Sequence, residues 1–286
     1  MADVREIDVV HCGVERAICV YAAFDEGWIL DPGPESTADT LLAALPDGWV
    51  PERILLTHIH FDHAGATGRL LERFPDAEVW VHEVGAPHLI DPTRLVKSAR
   101  RLYGDRFDTL WGEVVPVAES SVRVLCGGES IDGWEVAYTP GHARHHVAYL
   151  HTGDRVAYCG DVAGVRILDG PVFPPTPPPD IDVEAWHESI TKLEAWAPET
   201  VALTHFGRFP DVASQLESLR TTLDEFAGLA RDLDAGGFEE AVRAWVEERT
   251  GGKVSRAAYE QANPPATLYG GLARYWSKKA DTLGAS

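Results

Sequence analysis

The run Arg53-Ile54-Leu55-Leu56 leads directly into Thr57-His58-Ile59-His60-Phe61-Asp62-His63-Ala64-Gly65, and no other stretch constrains the chain as strongly. Four metal-capable side chains fall within six residues, at the end of an apolar strand. Side chains on a strand alternate between faces, so an extended run continuing through His60 points His58 and His60 the same way, able to grip one ion. Asp62 and His63 then face a neighbouring position. A catalytic zinc keeps one coordination place open for water, so the two halves of the motif suit two adjacent sites better than one saturated site. A surface loop that merely happens to be rich in histidine is the alternative, and spacing and context together speak against it.

The chain has 286 residues, enough for one large α/β sandwich with a helical appendage. Forty-five acidic residues against 25 basic ones give a formal charge of −20, which argues against a broad nucleic-acid-binding surface. A small anionic substrate stays compatible with that charge, because a metal centre makes a local positive well. Cys12, Cys19, Cys126 and Cys159 show no metal-binding spacing; three lie in apolar, strand-like runs, which predicts buried free thiols. Met1-Ala2-Asp3-Val4-Arg5-Glu6 has no basic segment followed by a long apolar run, and no stretch approaches the length of a membrane span. A cytoplasmic protein working away from membranes is the expectation.

In chain order, Ile7 to Val10, Ala17 to Ala22 and Trp28 to Leu30 read as a β-meander, followed by a helix from a Ser36 cap through Leu45. Beyond the histidine motif, Ala64 to Phe74 reads as a helix and Glu78 to His82 as a buried strand. Leu95, Ala99 and Leu102 recur at helical spacing. Arg94, Lys97, Arg100, Arg101 and Arg106 there make the one basic cluster of an acidic chain, which fits a solvated helix face or, alternatively, a lid facing substrate. Short β runs return at Val122 to Leu125, Glu135 to Tyr138, Val147 to Leu150 and Val156 to Cys159. Pro171 to Asp180 holds too many prolines for a helix or central strand and predicts a stiff loop bordering the cleft. Asp182 reads as the N-cap of a helix through Trp196, and Thr200 to Leu203 as a strand. Val212, Leu216, Leu219, Leu223, Phe226, Leu229 and Leu233 form one helical stripe, suited to core packing and alternatively to a homodimer. Residues 1–210 are thus expected to form a metal-binding domain and 211–286 a helical extension.

The H-x-H-x-D-H pattern resembles that of the metallo-β-lactamase-fold superfamily. The resemblance continues through Thr139-Pro140-Gly141-His142, Cys159-Gly160-Asp161 and Leu203-Thr204-His205-Phe206-Gly207, in the family's order, over residues 5 to 210. It implies an α/β fold of the α+β kind, a four-layer αββα sandwich, here with a C-terminal helical extension. Carried over residue by residue, it implies that His58, His60 and His142 hold one metal and Asp62, His63 and His205 a second, with Asp161 bridging them. A carboxylate suits the bridge because its two oxygens share one negative charge between two cations. In the family an Asp-x-Gly similar to Asp31-Pro32-Gly33 frames the metal site; Asp31 suits a turn or a partner behind the ligands better than a ligand. His145 and His146 suit exposed places or support for the ligands, and His11, His82, His88, His151 and His187 structural ones.

What the resemblance implies for function is a hydrolase of small esters, thioesters or lactones. The nucleophile would be hydroxide held between two divalent ions, zinc first, with manganese or iron as alternatives. Asp62, at the edge of the site, is the candidate catalytic residue, relaying a proton to the leaving group. Glyoxalase-II-like and persulfide-dioxygenase-like relatives carry characteristic stretches after the bridging aspartate, from which Asp161-Val162-Ala163-Gly164-Val165-Arg166 departs. The tyrosine that lactonase relatives use has no counterpart between Asp161 and His205. A mono-iron persulfide dioxygenase, for which His58, His142 and Asp161 would suffice, is the alternative.

Overall fold

The computed structural model describes residues 3–250 and 256–284; Met1 and Ala2, the start of the segment read as having no basic run before a long apolar one, lie outside them. β1 (Val4–Asp8), β2 (Cys19–Ala23), β3 (Trp28–Leu30), β4 (Arg53–Leu55), β5 (Glu78–His82) and β6 (Val122–Leu125) form one sheet in chain order. Its first three strands are antiparallel and the rest parallel. A second sheet follows, again in chain order: β7 (Ser130–Ile131), β8 (Trp134–Tyr138), β9 (Val147–His151), β10 (Val156–Tyr158), β11 (Thr200–Leu203) and β12 (Gly207–Phe209). Only β10 and β11 are parallel there, joined by the helix Val183–Trp196.

The period of two explains how the layers stack. In β2, Cys19 and Tyr21 pack between the sheets while Val20 and Ala22 pack outward; in β9, Val147 and Tyr149 face inward while Ala148 and Leu150 face outward. The inward faces meet in an aromatic layer of Tyr21, Trp28, Trp80, Trp134, Tyr149 and Tyr158, all buried. Outside the first sheet lie the helices Ala38–Ala44, Thr67–Arg73 and Ala86–Ile90, which contribute Leu41, Leu70 and Leu89. Outside the second, Val183–Trp196 shares one apolar cluster with the C-terminal helices Val212–Asp232, Ala235–Thr250, Arg256–Ala262 and Pro265–Gly284. The result is a four-layer αββα sandwich in which helices cover both outer faces.

Local differences from the sequence expectations have identifiable causes. Ser36 caps no helix: its hydroxyl donates to the Leu110 carbonyl at 2.7 Å, and the helix starts at Ala38 after a 3-10 turn. The helix expected over 64–74 is two, Phe61–Ala64 and Thr67–Arg73. Gly68 allows the second to lie against Val115, whose carbonyl oxygen a Cβ would meet at 2.1 Å. Cys19 and Cys159 are buried free thiols, but Cys126, just past the edge strand β6, is exposed, as is Cys12. Asp182 does cap its helix, accepting from the Ala185 N–H at 3.0 Å. No helix among the described residues is long and apolar enough to cross a membrane.

Candidate metal centre

All seven side chains singled out from the sequence converge at one end of the sandwich, beyond the C-terminal ends of β4, β8, β10 and β11. His58 to His63 follow β4, His142 lies in the turn between β8 and β9, Asp161 follows β10, and His205 sits between β11 and β12. β4 ends at Leu55 and the chain bends at Thr57, so strand alternation does not set the two rings; His60 is itself extended, and His58 and His60 still bring their ring nitrogens together. Their Nε2 and Nδ1 atoms are 3.0 Å apart, and the His142 Nε2 closes a triangle at 3.2 and 3.0 Å. Four ligands about 2.05 Å from a tetrahedral zinc stand about 3.3 Å from one another, close to these separations.

The outward ring nitrogens show which protons these histidines carry. The His142 Nδ1–H donates to the Pro175 carbonyl at 2.8 Å, and the His58 Nδ1–H donates to Thr57 Oγ1 at 3.1 Å. Both Nε2 atoms are therefore bare lone pairs pointing at each other, an arrangement that repels unless a cation stands between them. Asp62, His63 and His205 gather next to them. The His205 Nε2 is 3.4 Å from Asp62 Oδ2, and the His63 Nε2 is 3.8 Å from the same oxygen. The His205 Nδ1–H donates to the Ala17 carbonyl and the His63 Nδ1–H to Asp31 Oδ2, so both Nε2 atoms again point inward.

Asp161 stands between the two groups. Its Oδ2 is 3.3 Å from the His142 Nε2, while its Oδ1 is 3.3 Å from the His63 Nε2 and 3.5 Å from the His205 Nε2. The His63 and His205 Nε2 atoms and Asp161 Oδ1 are buried without a hydrogen-bond partner. Leaving one such group unsatisfied costs roughly 1–3 kcal/mol, and here three orphans aim at the same point. The donor set of imidazole nitrogens and carboxylate oxygens fits zinc, iron or manganese and offers no thiolate. His60 and Asp62 are the partly exposed members; the other five are buried, which puts the open side of the centre at those two residues.

The electrostatics separate the two halves. Burial, aided by neighbouring rings, pushes His58 well below its ordinary pKa and His60 down to about 4, and it lowers His142 as well. Burial works against the charge on His63 and His205 too. There the carboxylates of Asp161 and Asp62 outweigh it, and both histidines titrate above their usual value. Burial alone would raise the Asp62 and Asp161 carboxyls, but His63 and His205 beside them hold both below the usual carboxylate range. Without an ion, the surroundings disfavour a proton on His58, His60 and His142 and favour one on His63 and His205.

Several further residues stand behind the candidate ligands. Asp31 is fully buried at a φ of 48° and accepts from Thr57 Oγ1 at 2.7 Å, Thr204 Oγ1 at 2.9 Å and the Thr57 N–H at 2.8 Å, besides His63. The partner role thus holds for Asp31. The sequence reading passes over Thr57 and Thr204, although each immediately precedes a candidate ligand histidine, a repeated Thr-His pair that is itself a signal. His146 and His145 are both buried rather than exposed: His146 Nδ1 pairs with Thr139 Oγ1 at 2.8 Å, and His145 Nδ1 accepts from the Ile59 N–H at 3.4 Å. The proline-rich loop borders the centre as expected, through the Pro175 carbonyl on His142.

The family model of the metallo-beta-lactamase superfamily matches residues 20–205. The chain belongs to the metallo-beta-lactamase superfamily. Among superfamily members, it is 34% identical over 161 residues to the metallo-beta-lactamase fold-containing protein ST1585 of Sulfurisphaera tokodaii, a match covering 54% of this chain and 60% of the relative. A hydroxyacylglutathione hydrolase of Salmonella paratyphi A is 30% identical over 141 residues, covering 48% of this chain and 43% of the relative. The matches thus span between two fifths and three fifths of these curated relatives. The crystal structure of an archaeal metallo-beta-lactamase superfamily protein, ST1585 from Sulfolobus tokodaii, superposes with a TM-score of 0.66 at 26% identity, covering 88% of this chain and 98% of that one.

Proposed function

We propose that this chain is a hydrolase of small thioesters, with esters and lactones as lesser substrates, working with two divalent ions, zinc first. The observation that carries the reading is Asp161, which turns one oxygen toward the His142 side and the other toward His63 and His205. His58, His60 and His142 would hold one ion and Asp62, His63 and His205 the other, with Asp161 shared. Bound there, the ions supply Lewis acidity and a water acidic enough to attack near neutral pH. The hydroxyacylglutathione hydrolase relative supports a thioester as the substrate class.

The chain's own residues supply the rest. Asp62 stands at the open edge and takes a proton as water attacks the carbonyl carbon. Its neighbours hold it below the usual carboxylate range, so a proton it takes is readily passed on to the departing group. A thiol, with a pKa of about 8.5, departs as thiolate without a donor, whereas an alkoxide needs one. That difference favours thioesters within the substrate class. Asp31, Thr57, Thr204 and Pro175 keep the imidazoles aimed, so no orientation has to be found during turnover.

Zinc- or manganese-loaded protein assayed under strictly anaerobic conditions against a thioester, an ester and a lactone tests this. Thioester cleavage that falls at least about a hundredfold in Asp62→Ala is the expected result. No cleavage by any metal form, with oxygen uptake on glutathione persulfide by the iron form, would replace the reading with the dioxygenase.

A further inference from the structure

The helix Thr93–Tyr103 carries Arg94, Lys97, Arg100 and Arg101 and not one carboxylate, in a chain with 20 more acidic than basic residues. Lys97 has like charges three residues before it and three and four after it, on the same helix face, where each such pair destabilises a helix. Arg100 is fixed by Asp108 at 2.6 Å and lies 4.4 Å over the Phe107 ring. Among the described residues, no ion pair relieves Arg94, Lys97 or Arg101, and the side chains of all three are exposed. An acidic chain has carboxylates to spare for such a face, so their absence from this helix suits a partner that brings its own negative charge.

These cations border a space. Lys97, Arg100 and Arg101, with Val96, Val114, Pro92 and Pro116, line an open groove of about 540 Å³, and Asp91 is the one carboxylate on the lining. Asp91 is already engaged, accepting from the Thr93 N–H at 3.1 Å. Cations interspersed with Val and Pro side chains along the groove suit a ligand with phosphates and a flat apolar part.

The groove is tied to the metal centre through the same helix. Tyr103, at its far end, packs on Trp111 at 5.2 Å between ring centres, and Trp111 and Phe107 pack on Phe61, the residue between His60 and Asp62. Six helical residues separate Tyr103 from Lys97, about 9 Å along the axis. A substrate cleaved at the centre and held in the groove must therefore carry its negative charge at arm's length from the reacting carbonyl. We propose that the groove along Thr93–Tyr103 binds the phosphate-bearing arm of the substrate's thiol, so that the natural substrates are acyl thioesters of a phosphorylated, nucleotide-like carrier thiol. The proposal rests on the thioester-hydrolase reading for the cleavage step, but not for the binding.

Free coenzyme A is the probe for binding, by equilibrium dialysis with the metal-loaded full chain. An acyl-coenzyme A, the matching glutathione thioester and the matching N-acetylcysteamine thioester are the substrates. Coenzyme A is expected to bind, more weakly as salt rises, and the double variant Lys97→Glu/Arg101→Glu is expected to bind it at least about tenfold less well. In that variant KM for the acyl-coenzyme A rises at least tenfold more than KM for either other thioester, with kcat little moved. Binding lost in the variant while no thioester is cleaved by any form would support the groove and remove the hydrolase reading. Cleavage of the N-acetylcysteamine thioester without coenzyme A binding would keep the hydrolase and overturn the groove. Equal losses on all three thioesters, or a glutathione thioester as sensitive as the acyl-coenzyme A, would overturn it too.

Discussion

Asp31 Oδ2 lies 2.8 Å from the His63 Nδ1, and the same oxygen takes the hydroxyl protons of Thr57 and Thr204. One buried carboxylate thus aims an imidazole and ties the loop after β4 to the loop after β11. Asp31→Ala removes all of these at once. We expect affinity for the ion beside His63 to fall about 10–100-fold, read by competition with a chelator, while the other site keeps its ion. Unchanged affinity at both sites would show that His63 is aimed by something else.

Replacing Asp161 by Asn keeps the shape but removes the shared charge and one good bridging oxygen. The variant is expected to stay folded, hold one ion instead of two, and lose most of its turnover, checked by elemental analysis alongside the thioester assay. Two ions per chain with wild-type turnover would refute the bridge.

The two halves should also answer differently to pH. His58, His60 and His142 all lie below their ordinary value, His60 at about 4, so they are neutral at pH 7 and take an ion without releasing protons. His63 and His205 are raised by the neighbouring carboxylates and must give up protons to bind. Affinity at that half therefore rises with pH through and above neutrality, while the first half stays nearly flat there. Calorimetric zinc titrations at pH 7 in buffers of different ionisation enthalpy should show one buffer-dependent step and one independent step. Two buffer-independent steps would contradict the assignment.

Gly160, just before Asp161, has a φ of 48°, and a Cβ there would stand 2.4 Å from Thr57 Oγ1. That hydroxyl is pinned between His58 and Asp31, so it has nowhere to retreat. Gly160→Ala should cost roughly 2–4 kcal/mol of stability and weaken metal binding, measured by denaturant unfolding and chelator competition. A variant as stable as the parent would mean that the loop relaxes freely.

How far the centre could be read in advance depended on whether its signals were local. His58, His60, Asp62 and His63 sit together in the chain, so spacing marks them, whereas His142, Asp161 and His205 are marked by the family resemblance of the short stretches that hold them. Thr57 and Thr204 act through Asp31, up to 173 residues away, and the repeated Thr-His pair marks the threonines without naming the carboxylate they bind. The same holds for Ser36, which looks like a helix cap until Leu110 is beside it. β7 and β12, two and three residues long, are too short to display an alternation. The exposure of Cys126 follows from β6 being an edge, a property of sheet order rather than of composition.

Every strand of the first sheet precedes Cys126 and every strand of the second follows Glu129, so the sandwich is folded from two consecutive lengths of chain. The seven candidate ligands divide four to the first length and three to the second. An ion shared by His58, His60 and His142 is therefore a joint between them, and neither length can complete a site alone. Cleaved between Cys126 and Glu129, the protein would part into two fragments whose apolar faces still match across the aromatic layer, so burial would drive their reunion and the rejoined pair alone would hold all seven candidate ligands.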